Sequence, residues 1–520
     1  MPSGDSAKAP EKKNPKETEN VKKVFYISMF FDGTLNKMNT QQKTAQEVRT
    51  GSTSTNLTQK DTNVAALSEL AITVKEPVKE NGVNKYFHSI YIEGPGTFYD
   101  VETKEEINSF SVWESITNYV SEKGEQIKAI KNNVLGLASG SAVGAWHGGV
   151  VDKVSRGVSK AYAYLTGKGI DWSKDEVHFS AYGFSRGAAC ARLFAYLVAR
   201  GKSGANITYE AQFNEFLYGS AKSLFKGKRL TFLEKMPDNK HKVDFLGLYD
   251  TVSSIGLKDS ETFQTHQLNA TDYGLYSPQL PRVDCTLHIG AIDEYRKNFA
   301  ITDVGETVPD KCAEIFVPGC HSDIGGSYAE GEESELCLNT EIDDKPALIL
   351  TKDPRNTSVF ETVSEISLVK LGWAVTGKTS TSWVRKIISS KRKVKRGISN
   401  VTLKTMWNMA DNTLSSVYGR KPFCSYKSLK VFQVPEGLNS FDSQVNGSLP
   451  AKGTRKFIIP GGSLSSVEYR KLRYNYIHTK TNDSLGIRLV NGANWKGNLL
   501  CRIVYHGDKG DTAYHYMQDL

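Results

Sequence analysis

The chain has 520 residues, 39% of them hydrophobic and 24% charged, and a formal net charge of +9. That is the composition of a folded globular protein, long enough for one large domain with insertions or for two to three smaller ones, and it excludes a collagen-like or low-complexity chain. The positive charge suits an anionic partner such as a phospholipid surface but is too diffuse to argue nucleic acid. The seven cysteines, odd in number and with no C-x-x-C pair, read as reduced thiols, not as a disulfide frame or zinc site.

Residues 1–22 are polar and lysine-rich and read as a disordered tail. They lack the apolar core of a secretory signal, so the product is expected to be made in the cytoplasm and carried onward by another route. Val24–Phe31 (VFYISMFF) is then a near-continuous apolar run closed by Asp32-Gly33-Thr34, the pattern of a strand buried on both faces. Similar runs recur at Tyr86–Glu93, Val177–Tyr182, Val243–Tyr249 and Ala313–Pro318. Helical patterns lie between them, clearest at Arg186–Arg200 (RGAACARLFAYLVAR), with Gly201 placed to cap its end. Strands alternating with helices predict an α/β fold with a mostly parallel central sheet over residues 23–345. Residues 346–420 read as a helical, basic insertion, and 421–520 as a β-rich accessory region with strands at Ser428–Phe432 and Ile487–Val490.

In such sheets the working residues sit just past the carboxyl ends of the strands. Ser185, Asp250 and His321 each hold that position. Ser185 lies in Gly183-Phe184-Ser185-Arg186-Gly187, between an apolar strand and a small-residue helix. That is the strand–turn–helix in which flanking glycines relieve a tight turn and present a serine nucleophile. The bland alternative is a plain strand-to-helix turn with a capping serine. An acid and then a histidine should follow in this architecture. His321 opens a turn after a strand; His478 is the runner-up, and His288 lies inside a strand. Asp250 ends its strand; Asp293 is its main competitor, and Asp244 lies at the wrong end. Asp323 is too close to His321 to orient it and is expected to brace the histidine turn. Arg186 should supply one oxyanion donor through its backbone N–H, and Gly33 or Thr34 the second, with Asp32 supporting that loop. The Phe-Asp-Gly-Thr sequence also brings to mind aspartate-nucleophile phosphatases, but their attacking aspartate would fall at Phe30.

Four ordered motifs then carry a family resemblance: Phe31–Asn36 (FDGTLN), Tyr182–Ala188 (YGFSRGA), Tyr249–Gly256 (YDTVSSIG) and His321–Tyr328 (HSDIGGSY). The set resembles the α/β-hydrolase family containing the first class of antibacterial type VI secretion lipase effectors. The resemblance implies a phospholipase (A1 or A2) acting on acyl esters of bacterial membrane glycerophospholipids through Ser185, Asp250 and His321. It also implies delivery on the secretion spike protein, action in the periplasm or membrane of target bacteria, and a cognate immunity protein in the producer. No cofactor or metal is expected. Two other readings remain: a carboxylesterase for soluble esters, and a non-catalytic toxin-docking module, against which the three filled triad positions argue.

Two stretches are candidates for lipid contact. Asn132–Val151 is uncharged with glycine every fourth residue; packed helix or mobile loop is its plainer reading. Trp383–Arg396 is strongly basic with an apolar set, and a solvated helix face or loop is its plainer reading.

Overall fold

The computed structural model describes residues 21–34, 36–38, 57–95, 97, 150–200, 240–253, 283–294, 299–304, 310–341, 348–349, 361–362, 378–381, 385–447, 452–463, 466–478, 495–496, 499–506 and 511–516. Its elements run β1 (Lys23–Phe31), α1 (Asn63–Leu70), β2 (Val78–Glu80), β3 (Val83–Ile92), α2 (Val150–Gly167), β4 (Glu176–Phe184), α3 (Arg186–Arg200), β5 (His241–Tyr249), β6 (Thr286–Ala291), β7 (Ile301–Thr302), β8 (Cys312–Val317) and α4 (His321–Gly325). They continue with β9 (Glu332–Glu341), β10 (Leu348–Ile349), β11 (Glu361–Thr362), β12 (Lys378–Thr381), β13 (Arg385–Val394), α5 (Ile398–Tyr418), α6 (Asn439–Gly447), β14 (Thr454–Phe457), α7 (Val467–Tyr476), β15 (Trp495–Lys496), β16 (Leu499–His506) and β17 (Asp511–Tyr516).

The apolar runs form one eight-stranded sheet in the order β14-β8-β6-β5-β4-β1-β3-β2. All neighbours are parallel except β2, which turns back against β3. Strand β1 shows why an unbroken apolar run is needed. Phe25, Ile27, Met29 and Phe31 enter the core beneath α2 and α3, while Val24, Tyr26 and Phe30 enter the opposite core beneath α1 and α5. Alternation is hidden because both faces are covered. Each fully buried large apolar side chain there contributes about 1.5–3 kcal/mol.

After β1 the chain steps outward to β3, then crosses back to place β4 on β1's other side. The C-terminal ends of β1 and β4 therefore flank a topological switch point, where an open α/β sheet leaves a crevice. Asp32, Gly33 and Thr34 lie at the first of these ends and Ser185 at the second.

Some local expectations give way to tertiary contacts. Ser428–Phe432, expected as a strand, falls in two 3-10 turns, Tyr426–Ser428 and Lys430–Phe432. Gln433 donates to the carbonyls of Tyr426 and Leu429, and the Tyr426 hydroxyl donates to that of Phe432, so these carbonyls are taken by side chains of the same segment and not by a partner strand. Arg385–Val394, within the stretch read as helical, is strand β13 and pairs antiparallel with β9. Strand β14 joins the edge of the central sheet, so the chain past residue 450 completes the core sheet. Residues 132–149, Trp383 and Ile487–Val490 lie outside the described residues. Among the described residues no helix is long and apolar enough to cross a membrane.

Candidate active site

Strand β4 ends in Phe184 and helix α3 begins at Arg186, leaving Ser185 alone in the corner. Its φ is 60°, a left-handed conformation that costs a non-glycine residue of order 1–3 kcal/mol and clusters at functional sites. The glycines explain how so sharp a corner closes. A Cβ on Gly183 would stand 2.2 Å from the Gly187 carbonyl oxygen, and one on Gly187 would stand 2.1 Å from that of Asp32. The turn thus packs backbone against backbone, and onto the end of β1.

Ser185 is tied to the next strand on both sides of Asp250. Its N–H donates to the Tyr249 carbonyl at 3.1 Å, and its carbonyl accepts from Val252 N–H at 3.3 Å. Asp250 is itself left-handed, with φ 41°, and fully buried. Its Oδ1 accepts from Ala291 N–H at 2.9 Å, and its Oδ2 meets His321 Nδ1 at 2.6 Å. With Nδ1–H given to Asp250, the neutral imidazole keeps Nε2 as its basic atom. The His321 ring packs between Phe184, at 4.6 Å between centroids, and Phe299, at 4.9 Å. Phe184 was not singled out by sequence reasoning, yet it joins the parts: a Cβ on Gly33 or Gly325 would collide with its ring.

The loop after β1 is pinned by Asp32. Asp32 Oδ1 accepts from Gly33 N–H at 2.7 Å and from the Thr62 hydroxyl at 2.6 Å, and Oδ2 accepts from the Tyr91 hydroxyl. Burial raises its carboxyl to about pKa 6, against the lowering effect of those hydroxyl and amide donors. The Gly33 N–H is thus committed to Asp32, which leaves Thr34 as the loop amide to consider for an oxyanion. The Arg186 guanidinium reaches the Thr34 hydroxyl at 3.2 Å. Burial lowers its pKa to about 10, so it stays charged at neutral pH.

Two competitors find other roles. Asp293 takes Gly319 N–H at 2.9 Å and the Tyr469 hydroxyl at 2.8 Å. His478 pairs with Asp323, Nδ1 to Oδ1 at 2.6 Å. Asp323 Oδ2 also accepts from Cys320 N–H, and Glu294 accepts from His321 N–H at 3.1 Å, so both ends of the histidine turn are held.

A buried network that sequence reasoning missed lies behind Asp250. His288 Nε2 accepts from Thr251 N–H at 3.2 Å, so its proton sits on Nδ1, facing Glu314 at 2.7 Å. Arg455 bridges Glu314, at 2.6 Å, to Asp303, at 2.8 Å. Arg192 donates to the carbonyls of Thr302 and Asp303. The strand histidine thus anchors the residue that follows Asp250. Among the described residues no cluster of three or more His, Cys, Asp or Glu side chains is placed to hold a metal ion.

The sequence matches the model of a family described as the type VI secretion system phospholipase effector Tle1-like catalytic domain, over residues 26–368. No curated protein matches it. Among solved structures it is similar to the Tle1 effector bound to the VgrG spike of the type 6 secretion system. Identity there is 19%, covering 96% of this chain and 92% of that one, with a TM-score of 0.46. It is also similar to an uncharacterised protein from Pseudomonas aeruginosa, at 16% identity, 82% and 50% coverage and a TM-score of 0.35. With the family's catalytic-domain model spanning 26–368, the chain belongs to the Tle1-like phospholipase effectors of the type VI secretion system.

Proposed function

We propose that the chain is a serine-dependent phospholipase A whose nucleophile is Ser185, general base His321 and orienting acid Asp250. The observation that carries this reading is the 2.6 Å His321–Asp250 pair beside a left-handed serine that is hydrogen-bonded to both flanks of the same aspartate.

Ser185 Oγ attacks the acyl carbonyl of a glycerophospholipid while His321 Nε2 takes the hydroxyl proton. Asp250 holds the tautomer and stabilises the imidazolium. The carbonyl oxygen, now carrying the negative charge, is received by the backbone N–H groups of Arg186 and Thr34, at the N-terminus of α3. The imidazolium protonates the departing glycerol oxygen, and the lysophospholipid leaves. Water, deprotonated by His321, then attacks the acyl-serine; the fatty acid leaves as the imidazolium returns the proton to Ser185 Oγ.

The family membership supports secretion into target cells, where the substrate would be met in the membrane. Docking on a spike protein and neutralisation by an immunity protein are part of the same proposal, the first suggested by the Tle1–VgrG complex. Product analysis on defined phosphatidylethanolamine vesicles tests the substrate class. Fatty acid and lysophospholipid, formed much faster from vesicles than acid from short soluble esters, are expected. Equal rates on soluble esters would favour a general carboxylesterase, and failure of Ser185 to react with a fluorophosphonate would contradict the serine mechanism.

A further inference from the structure

We infer that the segment of α7 running on to His478 is a positioning clamp for the histidine turn, with His478 as its decisive residue. The inference rests on the reading of His321 as the base. This segment lies beyond residue 368, outside the part of the chain that matches the catalytic-domain family.

The clamp grips the turn on both sides of His321. Two residues before it, Gly319 N–H donates to Asp293 Oδ2, and the same oxygen takes the hydroxyl of Tyr469 on α7. Arg473, also on α7, faces the other Asp293 oxygen at 3.5 Å. Two residues after His321, Asp323 receives His478 twice, backbone N–H on Oδ2 at 2.8 Å and ring Nδ1 on Oδ1 at 2.6 Å. Asp323 Oδ2 also takes Cys320 N–H, closing the first turn of α4. One carboxylate therefore fixes the turn and the clamp together.

The clamp is itself fixed from below. The buried Arg392 guanidinium donates to the carbonyls of Arg473, Tyr474 and Ile477, capping the C-terminal end of α7 with positive charge. His478 is 1% exposed, and its ring lies on that of Tyr328 at 4.1 Å. Among the described residues its buried Nε2 meets no hydrogen-bond partner, and the ring is held through Nδ1. This second His–Asp pair thus places the first. A helix of five residues is too short to be stable by itself, so its leading side chain depends on what holds the turn.

The chemistry offers a clean separation. An Asn Nδ2 hangs from Cγ as His Nδ1 does and can still donate to Asp323, whereas the Gln amide lies one atom farther out. Gln, however, fills more of the ring's volume than Asn. In the full-length protein, His478→Gln should lower kcat for fatty-acid release from phosphatidylethanolamine vesicles about tenfold or more, with KM within about twofold. His478→Asn should keep kcat within about threefold of wild type, while melting no higher than His478→Gln. A merely space-filling role predicts the reverse order of rates. Wild-type kcat in His478→Gln, or equal losses in both variants, would overturn the clamp. If neither variant folds, Tyr469→Phe carries the test: a loss of about threefold in kcat at constant KM supports it, and an unchanged rate overturns it. A wild type that releases no fatty acid would instead overturn the catalytic reading on which the clamp depends.

Discussion

Ser185 is placed by its own neighbours in sequence: β4 before it, α3 after it, and glycines at 183 and 187 that let backbone pack on backbone. His321 leads a helix of five residues whose turn is held by Glu294, Asp293 and Asp323, and through them by Tyr469 and His478. Asn63 and Thr402 add hydrogen bonds to the Ile324 carbonyl at the far end of that helix. The Ser185 corner is thus shaped mainly by its own neighbours in sequence, with bonds to Tyr249 and Val252 closing it, whereas the His321 turn is held from far along the chain. A local site fails through steric changes at a few positions, and a long-range site through loss of distant polar partners.

The largest effect should come where the two constructions meet. Asp250→Asn keeps the shape but offers an amide to His321 Nδ1, favouring the wrong tautomer; kcat should fall roughly ten-thousandfold with little change in melting temperature. A rate within tenfold of wild type, roughly, would break the link between the two halves.

Gly187→Ala tests the local construction. Its Cβ would lie 2.1 Å from the Asp32 carbonyl oxygen, so β1 and α3 must separate. Stability in denaturant should drop by about 3 kcal/mol or more; an unchanged midpoint would show that the corner is looser than its geometry. On the long-range side, Arg455→Ala leaves Glu314 and Asp303 buried without their bridge. A loss of about 3 kcal/mol is expected, together with lower activity as the His288–Thr251 support loosens.

The sequence periodicity exposed the local half almost completely. Helix Arg186–Arg200 and the apolar strands were readable because their signals lie within a few residues of one another. That Asp250 and His321 each follow a strand was readable for the same reason. What holds the histidine turn was not, since Asp323 and His478 stand 155 residues apart and neither flank marks the other as its partner. Strand β14 gave little signal either: a four-residue edge strand, TRKF, has too few positions to show a period. Ser428–Phe432 misled because Leu429 and Phe432 are buried in turns whose carbonyls accept from the Gln433 and Tyr426 side chains, not from a neighbouring strand.

The smallest expected effect concerns Asp32, which pins the loop after β1. Its carboxyl titrates near 6 in the folded protein against a reference of 3.8. The native state therefore holds this proton to a higher pH, and between about pH 4 and pH 6 its contribution to stability falls as pH rises. Above that window the cost is constant. Asp32→Asn has no such titration, so denaturation at several pH values should show it gaining on wild type by about 2–3 kcal/mol across the window. Parallel stability curves would contradict the cost assigned to burying this group.

The central claim is that Ser185 is the nucleophile of a phospholipid acyl hydrolysis. Its most direct test is fatty-acid release from phosphatidylethanolamine vesicles by wild type and Ser185→Ala at matched folded concentration. The variant should lose at least about a thousandfold in rate while melting with the wild type. Release at the wild-type rate by Ser185→Ala would contradict the account.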